Sequence, residues 1–218
     1  YQKVHFPESF DEYKKAKKRL AFDEFLYLQS LFNHSKTIYQ SEKKAFDLNI
    51  DDLFIDLFQK QIPFKLTSSQ KKCIEEIYND IKKASPMKRL LQGDVGSGKT
   101  IVAAAAVTAT IKNNKQAALM APTEVLAEQH LTSFKKYLEY FDVDIHLLTS
   151  SVKDREDIYE IIDRGDPVLI IGTHALIQDK VNFNNLGLAI IDEQQRFGVE
   201  QRKKLVDNDD FTPHQLVM

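Results

Sequence analysis

Gly93-Asp94-Val95-Gly96-Ser97-Gly98-Lys99-Thr100 spaces its glycines, lysine and hydroxyl as G-x-x-x-x-G-K-[ST]. Residues of these types at this spacing suit phosphate binding. Glycine lets the backbone approach an anion closely and adopt dihedrals closed to other residues. The loop N–H groups and the N-terminus of a following helix then form a nest for phosphate oxygens. Lys99 would reach the β- and γ-phosphates of a nucleotide, and Thr100 would offer its hydroxyl to Mg²⁺. A glycine-rich turn with an incidental lysine is the competing structural reading. The flanks argue against it: the apolar RLLQ precedes the loop and the helix-forming TIVAAAAV follows.

Asp192-Glu193 ends the apolar run Leu188-Ala189-Ile190-Ile191. A carboxylate at the carboxyl end of a strand can hold Mg²⁺ opposite a phosphate loop. Asp192 would do so with Thr100, and Glu193 would orient or deprotonate the attacking water. Alone, the pair reads as a solvated strand end; beside the phosphate loop the catalytic reading prevails. Gln70, upstream in FKLTSSQ, has an amide able to read the adenine edge. Thr67 in the same stretch is also a good helix N-cap, a role that needs no nucleotide. These positions together point to ATP and Mg²⁺.

Alternating elements must hold these residues in place. Five short apolar runs read as strands: 89–92, 117–121, 143–148, 168–173 and 188–192. Helical patterns lie between them at 68–84, 98–113, 123–140 and 152–164, and HQLVM (214–218) begins another strand. LIIG and LAII are apolar without alternation, as in strands of a parallel sheet covered on both faces. The fold class is therefore α/β: a P-loop domain with a mostly parallel sheet flanked by helices. Ahead of it lies a helical segment. Phe22, Phe25, Leu26, Leu28 and Phe32 recur at helical spacing within 10–34, and KKAKKRL (14–20) reads as its solvated face. A second helix fits 50–60 with Asn49 as N-cap, and Pro63 breaks the pattern. This divides the chain into 1–62 and 63–218.

Composition narrows the classes. A net charge of -2 gives no bulk attraction to nucleic acid, so any DNA contact must be local. The single cysteine, Cys73, excludes a disulfide framework and a Cys-rich metal site; it fits a buried helix position and a reducing cytoplasm. The longest apolar run, IVAAAAVTATI (101–111), is too short to span a bilayer. A GTPase would need a guanine-reading N-K-x-D, and a small-molecule kinase an acceptor site; neither is present.

Further segments extend the match. The order of Gln70, the phosphate loop and Asp192-Glu193-Gln194-Gln195 resembles superfamily-two helicases. Ala121-Pro122-Thr123-Glu124 with Leu126-Ala127-Glu128-Gln129-His130 resembles their motif Ia; Gly172-Thr173-His174-Ala175-Leu176 resembles motif Ib. Motif II and its extension match through Arg202. Within the superfamily the chain is similar to bacterial DNA translocases that remodel stalled forks and Holliday junctions. HFPES (5–9) and RLAFDEFLYLQ (19–29) resemble the linker that joins their DNA-gripping wedge domain to the first RecA-like motor lobe. The resemblance implies a bacterial cytoplasmic ATPase acting on branched DNA. Its DNA contacts would fall at Pro122, Thr123, Gly172, Thr173 and His174, although helix capping and a strand exit also explain those types. A motor lobe from a translocase that couples transcription to repair is the alternative. Two departures stand out. Gln195 replaces the usual His and cannot titrate near neutral pH, which implies altered coupling of hydrolysis to movement. The chain also opens on Tyr1 and ends before motif III, which implies a fragment lacking the wedge domain and the second lobe with its arginine finger.

Overall fold

In the computed structural model, which describes residues 1–51, 53–206 and 211–218, the chain divides into two compact units, Tyr1–Glu42 and Lys43–Met218. The first holds α1 (Gln2–His5) and α2 (Phe10–Glu42). The second holds α3 (Phe54–Gln61), α4 (Ser68–Ile81), α5 (Lys99–Lys112), α6 (Glu124–Leu138), α7 (Glu156–Arg164) and α8 (Val199–Val206). Its strands are β1 (Lys88–Leu90), β2 (Gln116–Met120), β3 (Ile145–Leu148), β4 (Leu169–Gly172), β5 (Leu186–Ile191) and β6 (His214–Val217).

Helix α2 runs to Glu42 rather than ending near 34. Surface pairs at i,i+4, Asp11–Lys15 and Arg19–Asp23, suit a solvated helix. Nothing on α2 is buried, and Phe22, Phe25, Leu26, Leu28 and Phe32 are all exposed.

The six strands form one sheet in the order β1-β6-β5-β2-β4-β3, and every pairing is parallel. All six expected strands are present, with ends moved by a residue or two. Side chains alternate between two cores, as the strand period of two requires. Ala117, Leu119, Leu169, Ile171, Leu188 and Ile190 face one side with α3, α4, α5 and α6. Ala118, Met120, Ile170, Ala189 and Ile191 face the other with α7 and α8. This two-sided burial explains the unbroken apolar runs.

Helix α5 is buried from Ile101 through Ile111. A helix apolar all round belongs inside a fold, and the run Ala103–Ala106 lets sheet and helices approach its backbone closely. The capping box at Thr67 starts α4: Thr67 Oγ1 accepts from Gln70 N–H and Gln70 Oε1 accepts from Thr67 N–H. Cys73 on α4 is half-buried, packed against the core rather than within it.

Two expectations are corrected. Asn49 does not cap the second helix; Leu53 precedes α3 without a side-chain cap. Asn49 instead exchanges hydrogen bonds with the Asn113 amide at the end of α5. Both bonds use the main chain of Asn49, whose N–H and C=O meet the Asn113 side-chain amide, so a main-chain tie to α5 stands where a side-chain cap was expected. The expected boundary at 62–63 falls within the second unit, because Leu48, Ile50, Phe54, Phe58 and Ile62 are buried in its core. Helix α8, rich in Lys, Arg, Glu and Gln, carried no apolar pattern by which to foresee it.

His214 locks β6 in place. Its Nδ1 accepts from Met87 N–H at 3.0 Å, so the proton sits on Nε2, which donates to the Phe46 carbonyl at 2.7 Å. The ring is fully buried. Burial lowers its pKa below the usual histidine value, opposed by the bond to Phe46 and the charge of Asp80. A proton on Nδ1 would confront the Met87 N–H. The unfolded chain therefore takes up the extra proton as pH falls below about 6.5, and this part of the stability is lost through that window. The urea midpoint of the wild type is expected to drop between pH 7.5 and 5.5, and His214→Gln should show a smaller drop. Equal drops would contradict this account of His214.

Candidate functional site

In a parallel sheet all carboxyl ends lie along one edge, where ligands gather in α/β folds. Loop 91–98 leaves β1 there, and Asp192-Glu193 leaves β5. Only β6 separates the two strands.

The β1 ladder continues one residue beyond the strand, with Leu91 N–H donating to the Val217 carbonyl at 2.7 Å. The loop then turns sharply. Gly96 and Gly98 have φ of +79° and +84°, in the left-handed region that favours glycine. Gly98 is the N-cap of α5 and supplies no side-chain cap, so the first N–H groups of that helix stay available. A Cβ at Gly98 would overlap the Gln70 amide nitrogen. Lys99 Nζ folds back and donates to the carbonyls of Gly93 at 2.7 Å and Asp94 at 3.0 Å. Asp94 O also accepts from Ser97 N–H, closing the turn. Val95 at the apex is fully exposed, and Thr100 is the half-buried second residue of α5.

Gln70 belongs to the same cluster. Its Nε2 donates to the Ser97 carbonyl at 3.0 Å while Oε1 serves the capping box. One N–H and one lone pair of the amide are then left over.

At the end of β5, Asp192 N–H bonds to the Met120 carbonyl and Glu193 N–H to that of Met218. Both backbone sites are thus pinned by the neighbouring strands. Glu193 has φ +52° and ψ +51°, a left-handed conformation that costs a non-glycine residue about 1 kcal/mol or more. Its carboxylate accepts from the Gln195 amide. Asp192 Oδ2 lies 2.7 Å from His130 Nε2, a contact with no counterpart in the sequence reading. Residues 62 positions apart on different elements give no spacing signal. Arg202 Nη1 donates to Gln194 Oε1 at 3.1 Å, while its buried Nε has no partner.

The positions expected to meet DNA lie after β2 and β4, on the far side of β5 from the phosphate loop. Pro122 is half-buried; Thr123 is exposed and caps α6, accepting from Leu126 N–H at 3.3 Å. His174 is exposed. Gly172 and Thr173 are buried, and Thr173 Oγ1 has no hydrogen-bond partner. A Cβ at Gly172 would overlap the Leu148 carbonyl, so close pairing with the end of β3 explains that glycine. Among the described residues no three His, Cys, Asp or Glu side chains converge as a metal cage, and no helix is long and apolar enough to cross a membrane.

Comparison with known proteins agrees with this geometry. The chain is 44% identical over 217 residues to the ATP-dependent DNA helicase RecG of Synechocystis sp., and 45% identical over 204 residues to that of Bacillus subtilis. These alignments take in 99% and 93% of the chain but 26% and 30% of the relatives, so the chain spans between a quarter and a third of their length. A RecG bound to a three-way DNA junction superposes over 100% of the chain and 29% of its own, with a TM-score of 0.85 and 39% identity. A DEAD box protein from the hyperthermophile Methanococcus jannaschii shares the fold, with a TM-score of 0.57 and 22% identity over 80% of this chain and 49% of its own. The alternative of a transcription-coupling translocase lobe is not favoured. Residues 67–217 match the DEAD/DEAH box helicase model, and the chain belongs to that family.

Proposed function

We propose that this chain is the ATP-binding lobe of a RecG-type DNA motor. The observation that carries the reading is the phosphate loop and Asp192-Glu193 on one sheet edge, held one strand apart. The loop N–H groups and Lys99 would bind the nucleotide phosphates. Lys99 must then exchange its two carbonyl partners for phosphate oxygens, which its flexible stem allows. Thr100 and Asp192 would hold Mg²⁺. One carboxylate and one hydroxyl, completed by phosphate oxygens and water, suit magnesium, which seldom sits in an all-protein cage. Glu193 would position the attacking water, and its left-handed backbone and the Gln195 amide would aim that carboxylate. Gln70 keeps enough free donor and acceptor capacity to read adenine while still tethered to Ser97.

By likeness to RecG, the whole protein would be an ATP-dependent helicase of the bacterial cytoplasm, acting on stalled forks and Holliday junctions in repair and recombination. The unit Tyr1–Glu42 would lead from a wedge domain, and the unit Lys43–Met218 would form the first motor lobe. A second lobe would supply arginines to the transition state. Exposed Thr123 and His174 would touch the DNA backbone, and Thr173 would do so only after turning outward. Such contacts are sequence-independent and weaken with salt.

Two outcomes follow. Lys99→Ala in the full-length protein should lower DNA-stimulated ATP hydrolysis by about 10²-fold or more; normal turnover would refute the phosphate-loop reading. Residues 1–218 alone should hydrolyse ATP about 10³-fold or more slowly than the full-length protein. Comparable DNA-stimulated turnover by the 218-residue chain would show that no second lobe is needed.

A further inference from the structure

His130 reaches Asp192 from α6, the helix that starts at Thr123 after β2. The Nε2–Oδ2 distance is 2.7 Å, and the two side chains are only 13% and 15% exposed. An ionised carboxylate can only accept, so Nε2 carries the proton and donates it. The ring is held as well as bonded: one helical turn further on, the fully buried Phe134 lies edge to face with it, centroids 6.4 Å apart. The imidazole therefore has little rotational freedom. Oδ1, the other carboxylate oxygen, has no protein partner among the described residues.

We propose that His130 is the positioning residue that orients the Asp192 carboxylate toward the magnesium ion. This rests on the reading of Asp192 as the magnesium-holding carboxylate. A carboxylate at a strand end can rotate about its last side-chain bond, presenting either oxygen or both. The donor on α6 removes that freedom by engaging Oδ2. Oδ1 then remains for the cation, in one orientation. Hydrogen-bond partners of metal-ligating groups typically change metal affinity by about 10–100-fold when removed. His130 would act through Asp192 rather than as a ligand of the cation itself. It also sits on the helix that begins at Thr123, so the orientation of Asp192 is tied to the element that follows β2.

Glutamine is the discriminating substitution. Its Nε2 can stand near the position of the histidine Nε2 and donate to the same oxygen, whereas leucine fills the space without a donor. Binding of Mn²⁺ with ADP to the full-length protein can be followed by electron paramagnetic resonance, with metal-free ADP affinity confirming that each variant keeps its phosphate loop folded. His130→Leu should raise the half-saturating Mn²⁺ concentration by about tenfold. His130→Gln should stay near the wild-type value, and Asp192→Asn should weaken binding at least as much as His130→Leu. Wild-type affinity in His130→Leu, with weakened binding in Asp192→Asn, would overturn the role of His130 and leave that of Asp192 standing. Equal weakening by leucine and glutamine would also overturn it, since the hydrogen bond would not be the cause. Unchanged binding in Asp192→Asn would remove the metal reading itself, and this inference with it.

Discussion

Strand β6 is four residues long and makes two parallel ladders at once, Gln215–Val217 with β1 and His214–Val217 with β5. Without it the phosphate loop after β1 and the carboxylates after β5 would have no common frame. The ladders extend past the strand ends at just these points: Leu91 N–H bonds to Val217, and Glu193 N–H bonds to Met218. The chain that enters the loop and the chain that leaves β5 are thus anchored on neighbouring residues, Val217 at the end of β6 and Met218 just after it. His214 ties that strand to residues 46 and 87 through both ring nitrogens. A small number of buried hydrogen bonds sets the separation on which the proposed chemistry depends.

On this frame, side chains sort by strand order. The proposed nucleotide-facing group lies at β1 and β5 and the proposed DNA-facing group at β2 and β4, with β5 and β2 adjacent. Links across that join are polar: Asp192 N–H to Met120, and His130 to Asp192. On the β1 side, Gln70 joins α4 to the loop through Ser97. The half-buried His130–Asp192 pair is costly to leave unmade, which makes it a rigid connection, while the Gln70–Ser97 bond is exposed. Thr173 Oγ1 and Arg202 Nε are the buried side-chain atoms that lack such a connection among the described residues.

Much of this was legible in the sequence because the signals were local. A phosphate loop needs glycines, a lysine and a hydroxyl within eight residues. Strands covered on both faces read as unbroken apolar runs, and a capping box spans four residues. The alanine-rich run after the loop read as a helix, and the structure buries it on every side. What stayed hidden depends on distant partners. The Asn49 side chain suggested a helix cap, but its main chain is tied to the side-chain amide of Asn113, and nothing near it in the chain signals that bond. His130 looks like one polar residue on an amphipathic helix until β2 and β5 bring Asp192 beside it. The apolar side chains of α2 show the opposite failure: helical spacing was read correctly, yet those residues are exposed in their own unit.

The central claim is that the loop at 93–100 and the carboxylates at 192–193 form one nucleotide site. Hydrogen–deuterium exchange on the full-length protein, with and without a non-hydrolysable ATP analogue and Mg²⁺, tests it directly. Slowed exchange in both segments together, with protection at 192–193 requiring the metal, is the expected result. Protection confined to the loop, with 192–193 unchanged when both nucleotide and metal are bound, would contradict it.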